Sequence, residues 1–254
     1  MLLLSGFVMA QHTEGRVVYE EIFETNLETE MSFEGSGMDS TMMSDLEAQM
    51  MEMMANMPKP KKELLFNAEA SIFQNFEEEK DEQFTGNNQN IMIVMDMPED
   101  IFYSNMREGV VVEQRDLMGK QFLIEDELFI PTWKMTGETM DIAGYSCMKA
   151  EGRIDSTEYV AWFAPQIPVS TGPLNMTGLP GLILSLESST SDITFVASAV
   201  ELGEGMGAGI VAPDKGKSVS RKKFEKIQEE KMQEMEKMYG GSDGNSIFIE
   251  IEEH

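Results

Sequence analysis

Short segments rich in β-branched and aromatic residues recur along this 254-residue chain, with turn residues between them. This pattern predicts antiparallel strands, since parallel strands need long crossovers and no regular alternation of strand and helix patterns appears. We therefore expect a mainly β fold with a minor helical part, built on one curved antiparallel sheet. The strand candidates are Gly15–Phe23, two segments between Glu63 and Phe76, Ile91–Met95, Ile101–Tyr103, Val110–Glu113, Gln121–Glu125, Thr132–Met135, Tyr145–Glu151, Thr157–Phe163, Leu182–Glu187, Ile193–Ala199 and Ile247–Glu252.

Two glycine–proline turns lead into the apolar strand candidate at 182–187. The tetrapeptide 179–182 fits a type II turn, because proline presets φ at the second position and glycine supplies the positive φ needed at the third. We interpret these turns as corners that fix the register of the following strand rather than as a working site. The predicted structural residues are Gly172, Pro173, Gly178, Pro180 and Gly181.

Methionine is unusually frequent, with 24 in the chain and nine of them between residues 31 and 62. Ser44 and Glu47 form a capping-box pattern, and the apolar residues that follow recur at helical spacing until Pro58. We therefore predict a helical insertion at 31–62, after the first strand. A second helix is predicted at 220–239, with Ser220 as its N-cap, and its apolar face includes Met232, Met235 and Met238.

The methionine faces have three interpretations. They can pack on the sheet as ordinary core, because methionine fills irregular gaps. They can form an adaptable surface for an apolar ligand or a partner segment, and the candidate residues for this are Met43, Met50, Met53, Met57, Met232, Met235 and Met238. They can also coordinate a soft ion such as Cu(I) or Ag(I), for which the candidate ligands are Met50, Met53, Met54 and Met57.

Charge and cysteine content restrict the function classes. A formal charge of −27 disfavours binding to nucleic acid and to anionic membranes. Cys147 is the one cysteine and lies in a predicted strand, so we expect a buried thiol rather than a nucleophile, and His12 and His254 lie close to the two ends. No catalytic residues and no cofactor are predicted. Acidic pairs such as Asp126 and Glu127 leave a carboxylate-based hydrolase as a further alternative.

The first ten residues are typical of the apolar part of a secretory signal. Val8 and Ala10 occupy the small-residue positions before cleavage, so the mature chain is expected to begin near Gln11. The apolar run is too short for a transmembrane helix. We therefore expect an exported protein, periplasmic or associated with the outer membrane, with a partial signal at 1–10 and one β domain at 11–254.

A series of motifs runs through the chain at Trp133-Lys134, Ile142–Ala150, Ala161–Pro168, Gly172-Pro173 and Gly178–Ile183, with further segments at Gly15–Tyr19 and Lys61–Phe66. These segments resemble the GLPGLI family, exported proteins of Gram-negative bacteria named after the hexapeptide at 178–183. The resemblance implies a mostly antiparallel β fold and an association with TonB-dependent outer-membrane uptake systems, and it brings no catalytic residues. The leading functional hypothesis is thus a non-enzymatic binding or accessory protein.

Overall fold

The computed structural model of the chain describes residues 13–23, 59–76 and 99–239. These residues form twelve strands, one α-helix and a short 3-10 turn. The strands are β1 (Gly15–Phe23), β2 (Lys61–Phe66), β3 (Ala70–Asn75), β4 (Ile101–Asn105), β5 (Val110–Leu117), β6 (Lys120–Glu127), β7 (Thr132–Ile142), β8 (Tyr145–Ile154), β9 (Thr157–Ala164), β10 (Leu182–Ser188), β11 (Ser191–Leu202) and β12 (Lys217–Ser218). The 3-10 turn is Pro173–Asn175, and the helix, α1, is Arg221–Tyr239.

All twelve strands belong to one sheet, in the order β12-β6-β5-β4-β3-β2-β1-β11-β10-β9-β8-β7. Neighbouring strands are antiparallel except β12, which pairs in parallel with β6. Two of the hairpins close through two-residue turns with positive φ, Met118-Gly119 and Ala143-Gly144, and such turns match the twist of the flanking strands. The predicted mainly β, mostly antiparallel single sheet is therefore confirmed.

Most of the predicted elements fall within the described residues, and there they are confirmed. The helix spans Arg221–Tyr239, and the backbone N–H groups of Lys223 and Phe224 both donate to the carbonyl of Ser220. Four predictions lie outside the described residues. They are the signal at 1–10, the helical insertion over 31–58, and the strands at 91–95 and 247–252. The last four residues of the predicted insertion, 59–62, are described and are not helical, because β2 begins at Lys61 and pairs with β1.

The main hydrophobic core combines side chains from the centre of the sheet with side chains from β7 to β10. Phe73 is packed edge-on against Tyr19 and Phe195, with ring centroids 5.8 and 5.4 Å away. The Tyr19 hydroxyl donates to the carbonyl of Ile183 at 2.6 Å, and complete burial raises the pKa of this phenol. A buried tyrosine needs such a partner, so this bond fixes β10 over the central strands.

The turns before β10 are structural corners, but the predicted type II turn at 179–182 is wrong. Gly181 has no positive φ; the left-handed glycine of this segment is Gly178, with φ +92°. Gly181 is needed for close approach instead, since a Cβ there would lie 2.3 Å from the carbonyl oxygen of Ala164. Gly172 is similar, because its Cβ would lie 2.6 Å from the Cβ of Ile183. Long-range packing, rather than local turn geometry, requires both glycines.

Candidate functional site

Exposed apolar side chains of the described residues concentrate beside one edge of the sheet. Eight large apolar side chains are exposed in this part of the chain, and four of them lie between residues 129 and 140. These four are Phe129 (58% exposed), Ile130 (63%), Met135 (43%) and Met140 (43%), and we call them the edge patch. Phe129 and Ile130 lie in the connection from β6 to β7, and the two methionines lie in β7 itself.

The edge patch rests on the turn that precedes β10. The indole N–H of Trp133 donates to the carbonyl of Thr177 at 2.7 Å, and this bond ties β7 to the turn. The backbone N–H of Gly178 donates to Ser170 Oγ at 2.8 Å. A Cβ on Gly178 would lie 2.7 Å from Cγ2 of Ile130, so only glycine leaves room for that side chain. The predicted structural turn therefore also supports an exposed apolar surface.

β7 is the end strand of the sheet among the described residues, so its outer side has no strand neighbour there. Its register with β8 is continuous for Thr132–Met135 and again for Thr139–Ile142, with an irregularity between. Met135 lies opposite Ala150 and Met140 opposite Cys147, and these register positions are on opposite faces of the sheet. The patch thus borders the open edge from both faces.

A second cluster, which we call the Glu113 network, joins the sheet to the 3-10 turn and to α1. Glu113 in β5 is only 6% exposed, and both of its carboxylate oxygens accept hydrogen bonds from Arg221, at 3.0 and 3.3 Å. Arg221 Nε also donates to Asp126 at 3.0 Å. Partial burial lowers the pKa of Arg221, but the bonds with Glu113 and Asp126 outweigh this, so the net shift is upward.

The Glu113 network also holds a strained backbone in place. Leu174 and Asn175 both have left-handed φ angles, 54° and 61°, which is uncommon for residues other than glycine. Ser104 Oγ donates to Asn175 Oδ1 at 2.8 Å, and Asn175 Nδ2 donates to Glu113 at 3.3 Å. With both ends of its amide bonded, Asn175 is fixed above β4 and β5. We interpret this network as a clamp for the turn and the helix.

A buried ion pair lies among the central strands. Lys62 Nζ is 3.6 Å from a carboxylate oxygen of Glu21 and also donates to Asn75 Oδ1. Burial raises the pKa of Glu21, and the nearby Lys62 opposes this shift without cancelling it. Both side chains are less than 10% exposed, so the pair is shielded from solvent. Its satisfied partners indicate a structural pair within the core.

Two classes of chemistry find no support in the described part of the chain. Cys147 is buried, and burial raises its pKa to about 11, so the thiol stays protonated at neutral pH and is a poor nucleophile. Among residues 13–23, 59–76 and 99–239, no three His, Cys, Asp or Glu side chains come together as a metal site. No helix in these ranges has the length and apolarity needed to cross a membrane.

The methionines predicted as binding residues are only partly within the described residues. Met232 of α1 is 53% exposed and Met235 is half-buried, whereas the helix packs on the sheet through Phe224, whose ring centroid is 5.5 Å from that of Phe122. Met238 lies in the last turn of α1. Met43, Met50, Met53, Met54 and Met57 lie outside the described residues, so the ligand-binding and soft-metal interpretations stay predictions.

Sequence reasoning missed both clusters, for different reasons. The edge patch had a local signal, since the apolar run 128–131 precedes a strand without belonging to it. Only the order of strands in the sheet shows that β7 is an end strand. The Glu113 network had no local signal, because Asn175 and Arg221 lie 62 and 108 residues from Glu113 along the chain.

The fold and these clusters define a mainly β protein with an apolar open edge and a clamped helix. Residues 151–185, which include most of the turn segment, match the model of the family described as "Protein of unknown function (Porph_ging)". This is the GLPGLI family, so the resemblance seen in the sequence is confirmed over these residues. No curated protein matches the chain.

Two solved structures of PNGF-II, in different space groups, are similar to this chain. Each is 16% identical to it, with TM-scores of 0.48 and 0.49, and each match covers 85% of this chain. The chain spans about a third of the length of PNGF-II, 32% in one structure and 33% in the other. Similarity this low supports no argument about the activity of the present protein.

Proposed function

We propose that this chain is an exported, non-enzymatic binding or accessory protein that holds an apolar ligand or a partner segment. The observation that carries the proposal is the edge patch, in which two exposed apolar side chains lie in the end strand of the described sheet and two lie in the connection just before it. Concentrations of this kind on a soluble protein mark binding surfaces. The apolar leader at 1–10 supports export, and the GLPGLI resemblance supports work beside a TonB-dependent outer-membrane uptake system.

Energetics favour a bound partner at the patch. Covering the exposed part of Phe129 or Ile130 contributes at most roughly 1.5–3 kcal/mol before the costs of association are subtracted, and the methionines add contact area. The hydrogen bond from Trp133 to Thr177 orders the residues around Ile130, and Gly178 leaves room for the Ile130 side chain. The surface is therefore formed before a ligand binds. A surface that is already ordered loses less conformational entropy on binding.

The methionine faces are a further part of the proposal. With 53% of Met232 exposed, the later part of α1 has apolar surface available for a ligand. A helical insertion after the first strand and before β2, carrying Met43, Met50, Met53 and Met57, would extend such a surface over a curved sheet. Unbranched thioether side chains adapt their packing to different ligands, which suits capture of varied apolar segments.

The test is purification of the full protein from its native host in wild-type form and as Phe129→Ser with Ile130→Ser. Mass spectrometry then identifies lipids, peptides and proteins that co-purify. We expect a defined ligand with the wild type and its loss in the double variant. Val211→Ser is the matched control, since Val211 is 69% exposed and lies outside the patch, and it should retain the ligand.

Two results would count against the proposal. A wild-type protein that carries no ligand or partner in any preparation would remove the binding function. Equal amounts of ligand with the wild type and the double variant would remove the edge patch from that function. Loss of the ligand on changing Met232 and Met235 to Ser, with the patch intact, would instead place the site on α1.

A further inference from the structure

The open side of β7 has the properties of a strand acceptor. Along an antiparallel strand, peptide groups alternate between the neighbouring strand and the opposite side. β7 pairs with β8 on one side, and among the described residues no strand lies on the other. Its outward-pointing N–H and C=O groups therefore have no ladder partner there, and such an edge can pair with an extended peptide.

The first half of β7 is better suited to this role than the second. The irregularity between Met135 and Thr139, where Gly137 has φ +84°, divides the edge into two four-residue ladders. The first ladder, Thr132–Met135, is separated from Ile130 only by Pro131 and contains Trp133, which the turn anchors through Thr177. A strand added here would place alternate side chains beside Ile130 and Met135, which are 63% and 43% exposed.

The sequence on either side of this ladder is acidic, and this charge selects the kind of partner. Between residues 125 and 141 the sequence has five acidic residues, Glu125, Asp126, Glu127, Glu138 and Asp141, and one basic residue, Lys134. Asp126 is paired with Arg221, and Glu138 with Lys149. The carboxylates of Glu125, Glu127 and Asp141 are exposed and carry no ion pair in the described part of the chain. A second copy of this chain, also with charge −27, would be repelled, whereas Lys or Arg side chains would be attracted.

We propose that Thr132–Met135 of β7 receives, as an added strand, an extended segment of a partner protein in which apolar residues alternate with Lys or Arg. This rests on the proposed function and names its partner class. Main-chain hydrogen bonds supply the pairing, the edge patch accepts the apolar side chains, and the exposed carboxylates accept the cations. The bulge after Met135 limits the pairing to a short segment and opposes edge-to-edge association of two copies.

The experiment mixes the full chain with capped synthetic octapeptides in which Val alternates with Lys. Isothermal titration measures the affinity, and amide hydrogen exchange locates the binding site. In two further peptides the backbone nitrogens of alternate residues are methylated, those of the Val residues in one phase and those of the Lys residues in the other. We expect one phase to bind at least about tenfold more weakly, because its N–H groups face β7, and the other phase to bind like the unmodified peptide. Amides in 132–135 should gain protection, and a Val/Glu peptide should not bind.

Ile130→Ser with Met135→Ser should weaken binding of the Val/Lys peptide, while Met118→Ser, at an exposed site outside the patch, should not. Equal binding of both N-methylated phases would show adhesion to an acidic surface only and would overturn the proposal. Self-association of the protein through β7, seen by sedimentation and abolished by Met135→Ser, would also overturn it. If every peptide fails while the native ligand is still lost on changing Phe129 and Ile130, strand addition is wrong and the proposed binding function stands.

Discussion

The two ends of the sheet are finished in opposite ways. At one end β12 is only two residues long, and α1 follows it and packs on β6 through Phe224. Arg221, at the start of that helix, is bonded to the buried Glu113 and to Asp126. At the other end β7 is eleven residues long and is bordered by exposed Phe129 and Ile130. One end is closed by a short strand and a clamped helix, whereas the other has no further strand beside it among residues 13–23, 59–76 and 99–239.

This difference separates a sheet edge that is closed by packing from one that carries exposed apolar side chains. Sheet edges invite unwanted pairing, and proteins protect them with short strands, covering helices, charges and bulges. The β12 end uses the first two of these means, whereas the β7 end uses a bulge and acidic residues around an apolar surface. We expect stability to depend on the closed end and ligand binding to depend on the open end.

The largest expected effect is at the closed end. Phe224 is 5% exposed and packs edge-on against Phe122, so Phe224→Ala should lower the free energy of unfolding by about 3 kcal/mol. Urea denaturation monitored by circular dichroism measures the change in the free energy of unfolding. Met232→Ala, on the exposed part of the same helix, should alter it by less than about 0.5 kcal/mol. Equal costs for the two variants would mean that α1 does not close this edge.

A smaller loss is expected on removing the clamp itself. Arg221→Met deletes two hydrogen bonds to the buried Glu113 and one to Asp126. We expect a cost of about 2 kcal/mol, moderate because the arginine side chain is 37% exposed and Arg115 remains 3.7 Å from Glu113. Lys226→Met breaks only an exposed pair with Glu230 and should cost less than about 0.5 kcal/mol. A similar cost for both would reduce the clamp to a surface ion pair.

At the open end, Gly178→Ala should cost about 1 kcal/mol because φ is +92° there. It should also displace Ile130, which the new Cβ would meet at 2.7 Å, and shift the indole N–H resonance of Trp133. Gly109→Ala is the matched control, since φ is +70° and nothing lies within 4 Å of its Cβ. If the two variants give the same spectra around β7, Gly178 does not support the edge patch.

The Glu21–Lys62 pair lies between the two ends of the sheet, and its contribution to stability depends on pH. Burial raises the pKa of Glu21 above 4.5, so its contribution to stability is complete below the unfolded-state pKa and is lost as the pH rises through the folded-state pKa. We expect the free energy of unfolding of the wild type, relative to that of Glu21→Gln, to decrease as the pH increases. Denaturation series from pH 4 upwards measure this change. A slope of the opposite sign would mean that the attraction of Lys62 outweighs burial.

The smallest expected effect on stability is at the edge patch. Phe129→Ser with Ile130→Ser should change the free energy of unfolding by less than about 0.5 kcal/mol, because both side chains are already more than half exposed. The same variant should lose its ligand. A cost close to that of Phe224→Ala would show that the patch belongs to the core, and the contrast between the two ends would disappear.

Local sequence patterns predicted most of the fold, namely the elements whose formation depends on neighbouring residues. β-branched runs bounded by turn residues located the strands within the described residues, and α1 has the predicted range of Arg221–Tyr239. The prediction of a type II turn at 179–182 was wrong because Gly181 is required by its close approach to Ala164. That residue is 17 positions away in sequence but in direct contact in space. Tertiary packing can require glycine without requiring a positive φ.

The sequence by itself determined the class of fold, the position of the helix and the family resemblance that residues 151–185 confirm. The class of fold and the position of the helix follow from periodicity and turn chemistry, which act over a few residues. The tertiary structure alone decided that β7 is an end strand and that Glu113 meets both Asn175 and Arg221. The order of strands and the meeting of distant side chains depend on long-range burial, which no short stretch of sequence contains.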